Sequence, residues 1–453
     1  MAKSTGRRSF MKALGGTLAA ASLATTRKPE AAVQAVTGAP AAGLVAPKLD
    51  TIRWGLVGIG ARGLSHVEQL LRLDGCRITA LCDPHGPALD RGLAAIEKAG
   101  LARPAALRDG PEAWRRLVER SDVDAVLIST PWELHVPMAV GAMRAGKHAF
   151  VEVPAAVTLD ECWQLVEVAE STRRHCMMLE NVCYGREELM VLHMCRKELF
   201  GDLTHAEAAY IHDLREQEKE VDWGTGSWRV AHYERRNGNV YPTHGLGPVA
   251  QYLNINRGDR FTRLVSMSSP SLGYKLYAQR EFPPDHARNR ASYVCGDMNT
   301  SIVQTALGRT VMVQHDVASP RPYTRLNLLQ GTRGAFAGFP NRIVVEGRGD
   351  THRWDTNMEK WYAEFDHPLW KRVGEEAVKA GGHGGMDFVM NWRLIQCLRE
   401  GLPLDMTVYD AAAWSSVFPL SIASVAQGSA PVSVPDFTRG AWQHQSPLGI
   451  VGA

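Results

Sequence analysis

The sequence predicts an α/β fold in two parts, a parallel sheet covered by helices followed by an α+β part. Three observations support this prediction. A glycine-rich turn near residue 58 joins an apolar run to a helical pattern. Apolar runs and helical patterns then follow one another as far as residue 181. Beyond that point the chain has longer runs in which apolar and polar residues alternate. We therefore expect residues 1–48 to precede the folded domains, residues 49–182 to form the first domain and residues 183–453 to form the second.

The composition is that of an ordinary globular protein. The chain has 453 residues, 45% of them hydrophobic and 22% charged, and 51 Lys and Arg against 48 Asp and Glu give a net charge of +3. The basic residues are scattered among acidic ones, which argues against a nucleic-acid partner. The eight cysteines form no C-x-x-C pair and no Cys/His cluster with zinc spacing, so we expect no metal site and no redox role.

The N-terminus has the layout of a twin-arginine export signal. Arg7 and Arg8 precede Phe10, Lys12 and a mildly apolar run that ends near Ala24. This run is shorter than the roughly 20 residues that cross a bilayer, so we expect no stable membrane anchor. We predict export of the folded protein to the periplasm, with a basic tail as the alternative interpretation.

The glycine-rich turn predicts a Rossmann dinucleotide-binding domain. Gly58-x-Gly60-x-x-Gly63 follows an apolar strand and opens a helical pattern, the context in which these glycines admit a pyrophosphate to the helix N-terminus. Asp83 ends the next predicted strand, 20 positions after Gly63, where an acid accepts the ribose hydroxyls and favours NAD over NADP. A glycine-rich turn without a ligand is the alternative.

The alternation of strands and helices continues beyond this turn. We predict strands at Val123–Thr130, His148–Val153 and Cys176–Asn181, with helices near 137–145 and at Leu159–Glu170.

The pattern changes after about residue 183. Two alternating runs meet at Gly308 and Arg309, and shorter runs at 325–339 and 342–347 follow, all typical of antiparallel hairpins. Amphipathic patterns predict helices at Met386–Glu400 and Ala411–Ala426.

The segment 128–162 resembles the glucose-fructose oxidoreductase and inositol dehydrogenase superfamily. This resemblance implies a Rossmann domain followed by an open-faced sheet domain. The superfamily's catalytic lysine is replaced by Val153, and in the best match to its second motif Thr243 and Gly247 stand in the Asp and His positions. The three usual dehydrogenase groups are therefore absent, although a displaced histidine, His244, lies nearby.

These departures, together with the motifs WELH, ENVCYGR, YPTHGLGP and GGHGGMDF, resemble the NAD-dependent family 109 glycoside hydrolases. The likeness runs from about Ile52 to Asp387 and beyond. It implies an exo-acting α-N-acetylgalactosaminidase with NAD as cofactor and a glycan or glycoconjugate ending in α-N-acetylgalactosamine as substrate. Sheets of related proteins often mediate dimers, which makes a homo-oligomer a hypothesis.

The resemblance also implies roles for particular residues. Beside the glycines and Asp83, the cofactor would be held by Ala61, Arg62, Trp132, Glu133, Leu134, His135, Glu152, Val153 and Asn181. The sugar would be contacted by Tyr210, Arg229, Tyr241, Pro242, Thr243, His244 and Tyr323. Tyr184 and His244 are the predicted proton-transfer groups.

Several of these residues have a structural alternative. Tyr210 and Trp132 could be core residues, and Arg229 could form a surface ion pair. His383 is a secondary site candidate that could instead cap the following helix, and we expect Asp387 to be a first-turn acid of that helix.

The implied chemistry is oxidation of the sugar at C3, elimination of the aglycone, addition of water and re-reduction, which leaves the cofactor unchanged. NAD-dependent glycosidases are a known exception to the rule of two carboxylates, although a carboxylate pair stays open on sequence alone. The alternatives are a periplasmic sugar oxidoreductase with non-dissociating NAD(P) and a nucleotide-binding sensor domain.

Overall fold

The structure, a computed structural model, describes residues 40–452, with side chains as far as residue 450. The predicted export signal and most of the predicted linker lie outside this range. Between residues 40 and 452 no helix has both the length and the apolar character needed to cross a membrane.

The first sheet is parallel throughout and has the strand order β3-β2-β1-β4-β5-β6. Its strands are β1 (Ile52–Val57), β2 (Cys76–Cys82), β3 (Ala105–Leu107), β4 (Ala125–Ile128), β5 (His148–Val151) and β6 (Cys176–Met178). The order reverses between β1 and β4, the switch point at which open α/β sheets bind ligands outside the carboxyl ends of their strands. The predicted Rossmann architecture is confirmed.

Five helices connect these strands and cover the sheet: α1 (Ala61–Leu70), α2 (Gly86–Lys98), α3 (Trp114–Val118), α4 (His135–Arg144) and α5 (Leu159–Thr172). Local sequence fixes the start of α5, because Thr158 and Glu161 form a reciprocal capping box. Strands β4 and β5 are buried along their whole length, which explains their continuous apolar runs.

The second sheet is mixed and has the order β13-β12-β11-β7-β10-β9-β8-β14. Its strands are β7 (Leu203–Ile211), β8 (Phe261–Ser268), β9 (Asn299–Thr305), β10 (Thr310–Asp316), β11 (Leu328–Gly331), β12 (Gly334–Ala337), β13 (Arg342–Val345) and β14 (Val432–Ser433). Strands β7 and β10 are parallel, whereas the other pairs are antiparallel. The predicted hairpin around Gly308 and Arg309 is confirmed as β9–β10.

The helices of this second part are α6 (Arg186–Arg196), α7 (Thr225–Arg235), α8 (Thr243–Tyr252), α9 (Gly273–Glu281), α10 (Ala287–Arg290), α11 (Met358–Phe365), α12 (Pro368–Ala380), α13 (Met386–Glu400), α14 (Val408–Ser415) and α15 (Val417–Ala426). Helix α13 has the predicted bounds. The single helix predicted at 411–426 is wrong, because the chain forms α14 and α15 on either side of Ser416. Pro419 has no N–H to donate and is best tolerated in a first helical turn, where the break places it.

Two close contacts position the site. Helix α8 packs so closely on β7 that a Cβ at Gly245 would lie 2.3 Å from the backbone nitrogen of Ala209. Helix α13 packs against α1 and against the turn that follows β6. The carboxyl edge of the first sheet therefore faces elements of the second part. On the second sheet, α15 packs on β8, while Val265, Met267 and Ile302 are exposed.

Candidate active site

The glycine turn leaves the start of α1 open. Gly58 has a φ of +83°, and a Cβ at Gly63 would lie 1.9 Å from the carbonyl oxygen of Gly58. Gly60 precedes α1 without a side-chain cap, and no atom of residues 40–450 lies within 4 Å of the position that its Cβ would take. The N–H groups of the first turn, beginning at Ala61, are therefore available to an anion.

Asp83 braces this turn from the end of β2. Its carboxylate accepts hydrogen bonds from the backbone nitrogens of Ile59, at 2.6 Å, and His85, at 2.8 Å. A carboxylate has about four lone-pair positions, so two backbone bonds leave acceptor capacity for ribose hydroxyls.

Arg62 is bonded to two acidic residues of the protein. Its guanidinium donates to Glu152 Oε1 at 2.6 Å and to both carboxylate oxygens of Asp387, at 2.8 and 3.1 Å. These contacts use three of its five N–H donors and fix the start of α1 against Glu152, which follows β5, and against α13. That Arg62 helps to hold the cofactor stays a prediction.

Asp387 connects three elements around the predicted cofactor groove. Its buried carboxylate accepts hydrogen bonds from Arg62, from Asn181 Nδ2 at 2.6 Å and from His383 Nδ1 at 2.8 Å. Burial raises the pKa of Asp387, but His383 and Arg62 lower it more, so the net pKa lies well below its usual range. Asp387 is a first-turn acid of α13, as expected, and it also connects α13 to α1 and to the turn after β6. His383 is bonded to Asp387 and does not cap α13.

Glu152 forms a second buried pair at the end of β5. Its Oε1 accepts from Arg62 and lies 2.6 Å from Nε2 of His66, a buried residue of α1 that sequence reasoning missed. Burial raises the pKa of Glu152, but Arg62 and His66 lower it by more than burial raises it. The carboxylate is therefore held ionised. The i, i+4 spacing of Arg62 and His66 on α1 was the available sequence signal.

The WELH turn after β4 contains residues with different environments. Trp132 is buried at 3% exposure, whereas Leu134 is 41% exposed. Glu133 pairs with His232 of α7 at 3.0 Å. Both ring nitrogens of His135 bond to backbone carbonyls, of Thr130 and of Pro154. The side chains of Glu133 and His135 thus help to hold the turn in place.

Val153 and Asn181 are the remaining residues predicted to lie at the nicotinamide end. Val153 is buried at 4% exposure and offers no ionisable group where related dehydrogenases have lysine. The side-chain oxygen of Asn181 is buried and, among the described residues, has no hydrogen-bond partner. Asn181 is thus held by Asp387 through its nitrogen while its oxygen is free for a ligand.

Several of the predicted sugar-contacting residues form an aromatic cluster with Trp132, a predicted cofactor residue, around the cation of Arg229. The Arg229 guanidinium carbon lies 4.4 Å from the ring centre of Tyr241, 4.9 Å from that of Trp132 and 5.9 Å from that of Tyr210. The Tyr210 ring centre lies 6.2 Å from that of Tyr323. Arg229 is 7% exposed, so the surface ion pair proposed as its alternative is wrong.

Arg229 carries a buried positive charge within this cluster. Its Nε and one Nη atom have no hydrogen-bond partner within the described part of the chain. Burial lowers the pKa of Arg229, but the hydroxyls of Tyr233, Tyr210 and Tyr241 raise it more, and the group stays protonated. A buried cation with free donors favours a ligand rich in oxygen acceptors.

His244 and Glu180 form the pair best placed for proton transfer. Nδ1 of His244 lies 2.6 Å from Oε1 of Glu180, which is fully buried, and Nε2 lies 3.4 Å from the Tyr241 hydroxyl. A carboxylate on one ring nitrogen orients the imidazole and leaves the other nitrogen for substrate. Sequence reasoning missed Glu180, although it stands just after β6 at the carboxyl edge of the sheet.

Glycine at position 247 explains the displaced histidine. A Cβ at Gly247 would lie 2.9 Å from Cγ of Glu180 and 3.0 Å from Sγ of Cys183, so a larger residue would clash. His244 lies three residues earlier in α8, on the same side of the helix. Thr243 is fully buried and Pro242 precedes the helix, so these two residues shape the turn that presents His244.

Tyr184 does not join this cluster. Its buried hydroxyl donates to Asp405 Oδ2 at 3.2 Å. Burial, and to a lesser extent the negative charge of Asp405, raise the pKa of Tyr184 well above its usual value. Arg393 binds the same carboxylate. The position of the hydroxyl gives no support to the proton-transfer role predicted for Tyr184.

Behind Arg229 lies a row of stacked tyrosines that ends near Glu218. The Tyr233 and Tyr274 ring centres are 5.1 Å apart, and those of Tyr274 and Tyr293 are 5.5 Å apart. Glu218 is fully buried, and burial raises its pKa to about 7. A carboxyl group whose pKa is raised by folding makes the folded state less stable once the pH exceeds its unfolded pKa.

We therefore expect Glu218→Gln to remove a pH-dependent loss of stability. Between pH 4.5 and 7 the folded wild type binds more protons at Glu218 than the unfolded chain, so its stability should fall with rising pH relative to the variant, by up to about 3 kcal/mol. Urea unfolding at several pH values measures this difference. Glu216→Gln, at an exposed neighbouring acid, is the control. A pH-independent difference for Glu218→Gln would contradict the assignment.

The fold and the site define a dinucleotide-binding protein with a Rossmann half and a mixed-sheet half. The open α1 terminus, Asp83 and the buried oxygen of Asn181 fit NAD, and these residues would hold it. Among residues 40–452 no group of three or more His, Cys, Asp or Glu side chains is arranged to bind a metal ion.

The comparisons with known proteins agree with this class. A family model described as "Oxidoreductase family, NAD-binding Rossmann fold" matches residues 52–180, and one described as "Glycosyl hydrolase 109, C-terminal domain" matches residues 184–444. The chain belongs to glycosyl hydrolase family 109, and its residues 52–180 form an NAD-binding domain.

Several relatives match almost the whole chain. The chain is 57% identical over 454 residues to a glycosyl hydrolase family 109 protein of Shewanella sp. strain W3-18-1, with 99% of each chain covered. It is 56% identical, with the same coverage, to a Shewanella oneidensis protein named alpha-N-acetylgalactosaminidase. The solved structure of levoglucosan dehydrogenase in complex with NADH covers 85% of this chain and 100% of its own, with a TM-score of 0.64 and 16% identity, and this likeness concerns the fold.

Proposed function

We propose that this protein is an exo-acting α-N-acetylgalactosaminidase that uses tightly bound NAD. The observation that carries the proposal is the His244–Glu180 pair beside Arg229, at the carboxyl edge of the NAD-binding sheet. The 56% identity to a protein named alpha-N-acetylgalactosaminidase supports the choice of sugar.

The buried residues support a division of roles. When bound, NAD supplies reversible oxidation of the sugar at C3, which makes the hydrogen at C2 acidic. His244, oriented by Glu180, accepts a proton from the sugar, either at the C3 hydroxyl or at C2. Loss of the C2 proton allows the C1 aglycone to leave, after which water adds. Arg229 donates hydrogen bonds to sugar oxygens, and Tyr210 and Tyr241 surround it.

The carboxylates bordering this cluster support a mechanism without a carboxylate pair. Besides burial, the negative charges of Glu152 and Glu180 both raise the pKa of Tyr241. Glu152 is bonded to Arg62 and His66, and Glu180 is bonded to His244. Ordinary glycosidases need one carboxyl group as acid and another as base or nucleophile, both free to meet the substrate.

We also propose that the protein is exported with its NAD by the twin-arginine route. The sequence around Arg7 and Arg8 supports this proposal. A cycle that restores the cofactor in each turnover suits a compartment without a nucleotide pool.

Purified protein incubated with p-nitrophenyl α-N-acetylgalactosaminide tests the proposal. We expect steady release of nitrophenol over many turnovers without added NAD, and little release from the α-galactoside or the β-anomer. Release only in the presence of a second sugar that can be oxidised or reduced would favour the sugar oxidoreductase. No release from any of the three glycosides would contradict the proposed activity.

A further inference from the structure

A segment of the second part contacts the first part at two places. Residues 220–229, here named the strap, connect a short helical turn after β7 to the first residues of α7. At one end Trp223 stacks on His85, with ring centres 4.4 Å apart and an interplanar angle of 22°, and the guanidinium of Arg91 lies 5.3 Å from the Trp223 ring. At the other end Trp228 meets Trp132, with ring centres 5.2 Å apart.

The strand order shows what lies between these two contacts. His85 follows β2 and Trp132 follows β4, while the glycine turn Gly58–Gly63 follows β1. In the sheet, β1 stands between β2 and β4. A segment that reaches from the loop after β2 to the loop after β4 therefore passes across the opening outside the glycine turn.

Hydrogen bonds within the second part fix the backbone of the strap and of the residues just before it. Arg288 donates hydrogen bonds to the carbonyl oxygens of Glu218, Glu220 and Gly226. The Glu220 carboxylate accepts from the Gly226 nitrogen at 2.6 Å, and a Cβ at Gly226 would lie 1.8 Å from the Gln217 carbonyl oxygen. Trp223, in contrast, is 42% exposed and touches the first part through His85 and Arg91.

We propose that the strap is a further binding element for NAD, and that Trp223, with His85 and Arg91, closes the adenosine end of the groove and slows release of the cofactor. This inference deepens the proposed retention of NAD and rests on it. Asp83, the expected ribose ligand, bonds to the backbone nitrogen of His85, so the loop that carries His85 is part of the adenosine site. The strap also carries Arg229, so it joins cofactor retention to the sugar site.

The variant Trp223→Ala tests the strap through the cofactor content of the protein. Loss of the ring stacking and of the cation–π contact should speed NAD release by about tenfold. The purified variant should therefore contain substoichiometric NAD after repeated desalting. Its hydrolysis should depend on added NAD and approach the wild-type kcat when NAD is saturating. Trp354→Ala is the matched control, because Trp354 is also 42% exposed and its ring lies against Arg342.

The outcomes separate the strap from the proposed function. Equal NAD content and equal release rates in wild type and Trp223→Ala would overturn the strap while leaving the glycosidase proposal intact. If the wild type itself loses NAD on desalting, retention fails, and NAD titration of the stripped proteins decides the strap: equal Kd values overturn it, and a weaker Kd for Trp223→Ala supports it. A kcat that stays low at saturating NAD would also contradict the strap, because it would place Trp223 in the chemical step.

Discussion

Replacing His244 by glutamine is expected to lower kcat for p-nitrophenyl α-N-acetylgalactosaminide by about 10²- to 10⁴-fold, the usual contribution of a general acid or base. Glutamine can occupy the space and hydrogen-bond to Glu180, but it cannot accept the substrate proton. Because the side chain acts in proton transfer, KM should change much less than kcat. NAD content should stay at the wild-type level, which separates a chemical defect from loss of cofactor.

Two further variants sharpen this test. Glu180→Gln removes the charge that orients the His244 ring, so it should lower kcat less than His244→Gln and leave KM and the fold nearly unchanged. His352→Gln, at an exposed histidine of the second part, is the control and should behave as wild type. A His244→Gln protein that keeps its NAD and most of its kcat would show that another group moves the proton.

Replacing Asp387 by asparagine should destabilise the protein and release its NAD. The change leaves Arg62 with Glu152 as its one carboxylate partner among the described residues, and the loss of a hydrogen-bond partner in a buried network costs about 1–3 kcal/mol. The one oxygen that remains at position 387 cannot serve Arg62, Asn181 and His383 as two carboxylate oxygens do, so both the start of α1 and the predicted nicotinamide end become less ordered. Urea unfolding measures the loss of stability, and absorbance of the released nucleotide measures the loss of NAD.

The pH dependence of the Asp387→Asn effect has a definite sign. Folding lowers the pKa of Asp387, so its contribution is complete above the unfolded pKa near 4 and declines as the pH falls below it. The stability difference between wild type and variant should therefore be larger at pH 7 than at pH 3. Asp90→Asn, which removes an exposed ion pair with Arg108, is the control and should change stability little. An unchanged free energy of unfolding for Asp387→Asn would contradict the role of Asp387 as the connecting residue.

The sequence predicted those parts of the fold that depend on neighbouring residues. The glycine turn, Asp83 at the end of β2 and helix α13 follow from periodicity and spacing within short segments. The helix predicted at 411–426 failed because the hydrophobic pattern continues across Ser416, while the missing N–H of Pro419 interrupts the hydrogen bonding.

The buried charge pairs of the site could not be predicted in this way. Arg62 and Asp387 are 325 positions apart, and His244 and Glu180 are 64 positions apart. No periodic pattern relates such pairs, because their contact depends on how α13 and α8 pack against the first sheet. The motif around Tyr184 likewise located its backbone beside Asn181 but did not show that its hydroxyl turns toward Asp405.

The most direct test of the account follows hydrogen at two carbons of the sugar. Protein that carries its own NAD, with none added, is incubated in D₂O with the α-N-acetylgalactosaminide, and the released sugar is analysed by NMR. We predict deuterium at C2, from removal and return of a proton there, and the original hydrogen at C3, because the hydrogen removed in oxidation is returned to the same carbon. Released sugar without deuterium at C2 would contradict the elimination route and, with it, the role assigned to bound NAD.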